Sequence, residues 1–132
     1  GLISGVATAA KLLRPSIRVI GVEPTGAPTL FESLKHNEVA TLPSVNTAAT
    51  SLAPRQSSAL NVDLIGRNVD RIVLVSDDEM RDAARWLWRE LGIAVELSAA
   101  AGIAAVASDR LGVENPGKIG VVICGTGSDG MA

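Results

Sequence analysis

Short apolar runs alternate with stretches of helical periodicity along this chain, and this alternation restricts the fold more than any other feature of the sequence. The runs from Arg18 to Val22 and from Arg71 to Val75 have the length and β-branched content of buried strands. Ala94 to Glu96 is a shorter strand candidate, and Lys118 to Ile123 is the last one. Because helical stretches separate these runs, the order predicts an α/β fold, a layered domain with a mostly parallel sheet flanked by helices.

Apolar side chains spaced three and four residues apart predict the helices. The clearest helix begins with the capping box Ser76-Asp77-Asp78-Glu79, which places acidic groups at the positive helix end, and it stops at Gly92. The other predicted helices run from Val6 to Leu13, over residues 28–35, over residues 59–67 and from Ser98 to about Leu111. The aperiodic polar stretch from His36 to Ser58 is predicted to be a long surface loop, and loops of this length are often functional.

Composition excludes several classes of function. The chain has 132 residues, 47% of them apolar, which suits a single domain over residues 1–132. A net charge of −2 and few aromatic side chains argue against nucleic acid as a partner, and the apolar runs are too short to span a membrane. The single cysteine excludes an internal disulfide and fits a cytoplasmic protein. Since the chain opens at Gly1 directly into an amphipathic segment, we expect a piece of a longer or processed protein.

Polar residues stand where the predicted strands end. Glu23, Ser76, Glu96 and Cys124 each occupy such a position. In open α/β sheets, ligands bind beyond the carboxyl ends of the strands, so these four residues are candidates for one site. The alternative is that they are polar only because loops are exposed to water.

Two further segments suit a ligand. Gly1-Leu2-Ile3-Ser4-Gly5 starts a helix, where free backbone N–H groups and the helix dipole favour an anion such as phosphate, although Ser4 could also be an ordinary N-cap. Cys124-Gly125 opens a glycine-rich turn after the last apolar run, although a lone cysteine is more often an inert buried thiol. Neither segment specifies a ligand by itself.

In this order, the segments resemble the fold-type II pyridoxal-phosphate enzymes, the tryptophan synthase beta superfamily, and within it the threonine dehydratase and serine racemase group. Gly1 to Gly5 matches the end of the family's phosphate-binding glycine motif, and Ile20 to Pro24 matches its Val-Gly-Val-Glu-Pro strand. Val95 to Val106 is similar to the Glu-Pro-Thr/Ser-Ala-Gly helix start, and Cys124-Gly125 to the Ser/Cys-Gly-Gly-Asn turn. The resemblance covers nearly the whole chain and implies the C-terminal part of the pyridoxal-phosphate-binding domain of a larger enzyme.

The resemblance implies roles for five cofactor-binding residues. Gly1 and Leu2 would donate backbone N–H groups to the phosphate, and Cys124, with Gly125 beside it, would face the pyridine nitrogen. Glu96 would lie near the ring or the substrate. A neutral partner at the nitrogen favours β-elimination over transamination.

The resemblance also implies a cation site for Mg or Ca. Glu23 would be its first ligand, and the carbonyl of Ala27 a second. Thr29 stands where the family has an acidic ligand, which argues against the metal.

Other positions depart from the family pattern. Leu97 replaces the usual proline, and Thr126-Gly127 replaces Gly-Asn. The Schiff-base lysine in its Ser-x-Lys-x-Arg-Gly context is absent from these residues, so the chain as given is expected to hold no catalytic lysine and to be inactive alone.

The family's chemistry gives the expected function. The parent enzyme would be an ammonia-lyase that converts a small hydroxy amino acid, such as threonine or serine, into a 2-oxo acid and ammonia. Glu96 favours this branch, because the cysteine synthase branch usually has serine there. A racemase, a threonine synthase or a β-replacement enzyme would share the motifs.

The expected partners are the amino-acid substrate and either a second copy or a missing N-terminal portion. A different class is a stand-alone, non-catalytic module for anion binding or subunit contact.

Overall fold

A computed structural model describes residues 1–114 and 117–132 of the protein. The helices are α1 (Leu2–Leu13), α2 (Thr29–His36), α3 (Ala59–Asn68), α4 (Asp77–Leu91) and α5 (Ala101–Ala107), the strands are β1 (Ile20–Pro24) and β2 (Arg71–Val75), and two 3-10 helices cover Thr50–Leu52 and Leu97–Ala100. Across these described ranges, no helix has both the length and the hydropathy that crossing a membrane requires.

The two strands form a parallel sheet with helices on both faces. β1 and β2 pair from Ile20 opposite Arg71 to Pro24 opposite Val75. Because successive side chains of a strand point to opposite faces, Ile72 joins a cluster with α1 and α3, whereas Val73 joins the larger core with α4 and α5. This arrangement confirms the predicted α/β layers.

The best-defined helix of the sequence forms as predicted. The Ser76 hydroxyl accepts from the Glu79 backbone N–H, and the Glu79 carboxylate accepts from the backbone N–H of Ser76 at 2.7 Å. Gly92 ends α4 in the left-handed region, with φ of 65°. The acidic cluster at this position is therefore a helix cap, as the sequence indicates.

The prediction of a strand from Lys118 to Ile123 is wrong. In the described parts of the chain, this segment has no hydrogen-bonded strand beside it, and Ile119, Val122 and Ile123 are exposed. An apolar run becomes a strand only when a neighbouring backbone accepts and donates its hydrogen bonds. The predicted strand from Ala94 to Glu96 is likewise reduced to one antiparallel bridge, between Val95 and Thr126.

The helix predicted from Ser98 to Leu111 is shorter and begins differently. Glu96, not Ser98, is the N-cap residue of the first turn, which is a 3-10 helix. The α-helical part covers only seven residues. Asp109 then adopts a left-handed φ of 54°, which stops the helix before Leu111.

Candidate functional site

The carboxyl ends of β1 and β2 meet at one edge of the sheet. The strands are parallel, and the Thr25 backbone N–H donates to the carbonyl of Val75 at 2.8 Å just beyond their pairing. Glu23 and Ser76 therefore lie at the same edge, as the strand-end pattern predicts.

Residues 37–58, which we call the covering loop, lie against the residues that follow this edge. The loop's Asn46 N–H donates to the carbonyl of Gly26 at 2.8 Å. Its Thr47 hydroxyl and Ala48 N–H both donate to the carboxylate of Asp77, at the start of α4. The loop is thus fixed to the segments that follow both strands.

Glu96 sits between the covering loop and the glycine-rich turn of residues 124–130. The Ser51 hydroxyl donates to Oε2 of Glu96 at 3.1 Å. On the other side, a Cβ at Gly125 would overlap Oε1 of Glu96, and a Cβ at Gly127 would lie 2.6 Å from its backbone nitrogen. Only glycines allow the turn to approach this closely.

Hydrogen bonds hold the glycine-rich turn in place. The backbone N–H of Glu96 donates to the carbonyl of Gly125 at 3.3 Å, and the N–H of Leu97 donates to Oδ2 of Asp129 at 2.7 Å. Cys124, directly before Gly125, has an exposed side chain. Three of the five predicted cofactor residues, Glu96, Cys124 and Gly125, therefore gather in one place.

The other two predicted cofactor residues start α1. Gly1 is the N-cap residue, no side chain caps the helix, and no acidic side chain lies in its first turn. No hydrogen bond found in residues 1–114 and 117–132 joins Gly1 or Leu2 to the Glu96 cluster.

The Glu23 carboxylate is buried, with 8% of the residue exposed, and it caps α2. It accepts backbone N–H groups from Leu30 and Phe31, both at 2.9 Å. Burial raises the pKa of Glu23 above its ordinary value, although the two N–H groups act in the opposite direction. Among the described residues, no three His, Cys, Asp or Glu side chains cluster closely enough to hold a metal, and the cation site at Glu23 and Ala27 stays a prediction.

The raised pKa of Glu23 predicts a pH dependence of stability. A carboxyl group with a raised folded pKa contributes stability below its unfolded value of 4.5 and loses that contribution as the pH rises through the folded value. Glu23→Gln removes this titration. We therefore expect the free energy of unfolding of the variant, minus that of the parent, to increase from pH 4.5 upward, measured by urea denaturation across the pH range.

The test is the slope of this free-energy difference with pH. Glutamine also changes the cap of α2, but that change adds an amount that does not vary with pH. Glu90→Gln makes the same chemical exchange at an exposed position on α4 and is the control for the exchange itself. A flat difference for Glu23→Gln would contradict the prediction.

Sequence reasoning missed Ser51, Gly26 and Asp129, whose partners are far away along the chain. Ser51 and Glu96 are 45 residues apart, and Leu97 and Asp129 are 32 apart. For Ser51 the available signal was the long aperiodic stretch itself, which indicated function without naming a residue.

The chain resembles known proteins in both sequence and structure. The family described as "Pyridoxal-phosphate dependent enzyme" matches residues 1–125. Phenylserine dehydratase of Ralstonia pickettii is 42% identical over 98% of this chain and 40% of that protein, and L-threonine ammonia-lyase of Thermotoga maritima is 33% identical over 98% of this chain and 32% of that protein. The structure of maize serine racemase superposes with a TM-score of 0.86 at 36% identity, covering 97% of this chain and 41% of that one.

These matches extend over nearly all of the chain, which spans about two fifths or less of each relative. The family match covers the start of α1, the edge of the sheet, Glu96 and Cys124-Gly125. The chain therefore belongs to the family of pyridoxal-phosphate dependent enzymes.

Proposed function

We propose that this chain is the C-terminal, cofactor-binding part of a lyase that removes the β-hydroxyl of a small hydroxy amino acid and yields a 2-oxo acid and ammonia. The observation that carries the proposal is the fixed Glu96 carboxylate beside the Cys124-Gly125 turn, in a chain of this family. The names of two relatives, a phenylserine dehydratase and an L-threonine ammonia-lyase, support elimination chemistry.

The residues present fit the cofactor. The first turn of α1 offers backbone N–H groups and carries no acidic side chain, which suits a phosphate. The exposed Cys124 offers a side chain for the pyridine nitrogen. When bound, pyridoxal phosphate supplies the electron sink for chemistry at the α-carbon of an amino acid.

In this proposal the residues of this chain bind and orient the cofactor. The Leu2 end of α1 would hold the phosphate, Cys124 would lie at the ring nitrogen, and Glu96 would accept hydrogen bonds near the ring or the substrate. Among the lysines, Lys11 pairs with Asp70 at 2.9 Å and Lys35 lies 3.7 Å from Glu32. We propose that the Schiff-base lysine comes from another part of a longer protein, which acts in the cytoplasm.

A racemase is the second candidate. The close superposition with maize serine racemase favours it, because that protein shares the same arrangement over 97% of this chain. Both reactions begin at the α-carbon, and they differ in whether the β-hydroxyl leaves.

The test is to express the complete coding sequence that carries this chain, with whatever precedes Gly1, and to assay L-serine, L-threonine and phenylserine. A lyase should retain pyridoxal phosphate and release 2-oxo acid and ammonia. D-serine formed without 2-oxo acid would favour the racemase instead. A protein that retains no pyridoxal phosphate would overturn the proposal and favour a non-catalytic module.

A further inference from the structure

We infer that Ser51 is a positioning residue: its hydroxyl fixes the Glu96 carboxylate against the Cys124-Gly125 turn, so that the covering loop sets how the cofactor ring is held. This inference rests on the proposed function. It adds a residue of the covering loop to a site that the motifs place on the sheet edge and the glycine-rich turn.

Each oxygen of the Glu96 carboxylate has a neighbour. Ser51 donates to Oε2 at 3.1 Å. Oε1 occupies the space that a Cβ of residue 125 would take, so the glycine leaves room for it. The hydrogen bond from Ser51 thus holds the carboxylate next to the residue that follows Cys124.

The covering loop delivers Ser51 from a fixed support. Asp77 accepts hydrogen bonds from Thr47 and Ala48, just before the 3-10 helix that carries Ser51. Ala49 is fully buried in the main core, and Leu52 packs against that core. Ser51 is itself exposed, but it lies between two anchored residues, and its backbone position is set by packing.

The hydroxyl has a specific effect on a carboxylate in this position. An ionised carboxylate only accepts hydrogen bonds, and a donor at one oxygen selects one side-chain rotamer among several. Without that donor, Glu96 would sample other rotamers before each binding event, and ordering it again would cost free energy. A preorganised carboxylate avoids this cost.

The test uses the complete protein with bound pyridoxal phosphate and five variants: Ser51→Ala, Ser51→Thr, Glu96→Ala, the Ser51→Ala and Glu96→Ala double variant, and Ser44→Ala. Ser44 is exposed on the same loop and serves as the matched control. The readouts are the dissociation constant for pyridoxal phosphate and the circular dichroism of the bound cofactor, which reports its orientation. Thermal unfolding checks that each variant is folded.

We expect Ser51→Ala to weaken cofactor binding about 3- to 10-fold, the size of one ordinary hydrogen bond at an exposed position, and to reduce the dichroism of the cofactor. Ser51→Thr, which keeps the hydroxyl, should restore both, and Ser44→Ala should leave both unchanged. In the Glu96→Ala background, Ser51→Ala should have no further effect, because it acts through Glu96.

Two results overturn the inference alone: a Ser51→Ala protein that binds the cofactor like its parent, or equal effects of Ser51→Ala with and without Glu96. Failure of the unaltered protein to bind pyridoxal phosphate would overturn the proposed function, and this inference with it. The double-mutant cycle of Ser51 and Glu96 therefore distinguishes failure of this inference from failure of the proposed function.

Discussion

Gly26→Ala is expected to lower the free energy of unfolding by about 3 kcal/mol, the upper end of what overpacking usually costs. A Cβ at this position would overlap the carbonyl oxygen of Asn46 and lie 2.5 Å from its carbonyl carbon. Both atoms are backbone, so no side chain can rotate away. The same backbone contact carries the hydrogen bond from Asn46 to Gly26, at 2.8 Å.

Since Asn46 joins the covering loop to the segment that follows β1, the substitution should also loosen the part of the loop that leads to Ser51. Urea denaturation measures the free energy of unfolding. Hydrogen exchange of the Asn46 and Ala48 amides measures how often the covering loop opens. Gly5→Ala is the matched control, because a Cβ at Gly5 meets nothing within 4 Å and alanine favours a helix by about 1 kcal/mol. Equal stabilities for the two variants would show that Gly26 and Asn46 do not pack as described.

Gly127→Ala is expected to cost about 2 kcal/mol and to displace the glycine-rich turn from Glu96. Its Cβ would lie 2.6 Å from the backbone nitrogen and 2.7 Å from the Cα of Glu96. Relief of this clash requires movement of the main chain on one side. The turn also carries Cys124, so cofactor retention in the complete protein should fall together with stability.

Gly120→Ala is the control for this second substitution. Gly120 is exposed, and an added Cβ meets no atom within 4 Å. Thermal unfolding and the pyridoxal phosphate dissociation constant of both variants give the comparison. If Gly127→Ala bound the cofactor as tightly as Gly120→Ala, the close approach of the turn to Glu96 would have no part in the site.

Features that depend on near neighbours in the chain were predictable from the sequence. The capping box of Ser76 and Glu79 joins residues three apart, and the left-handed cap at Gly92 needs only the absence of a Cβ. The strands β1 and β2 are apolar runs long enough to be buried, and their pairing followed from the order of the elements. The alternation of Ile72 and Val73 between two cores follows from the pleat of a strand.

The predictions failed where a remote partner decides the local structure. Lys118 to Ile123 has the composition of a strand, but pairing requires a second backbone at its side. The helix after Glu96 begins as a 3-10 turn, where Leu97 donates to Asp129 from the glycine-rich turn. Propensity is a weak prior and yields to such contacts.

The candidate site divides in the same way. Predicted strand ends singled out Glu23, Ser76, Glu96 and Cys124, and of these only Glu23 and Ser76 lie where a strand of the structure ends. Only the tertiary structure showed that Glu23 caps α2 and that Ser51 meets Glu96. The sequence determined the elements and the types of residue at the sheet edge, since caps, periods and turns act within a few residues. The folded chain decided which side chains touch, because that depends on where a 22-residue loop without periodicity is anchored.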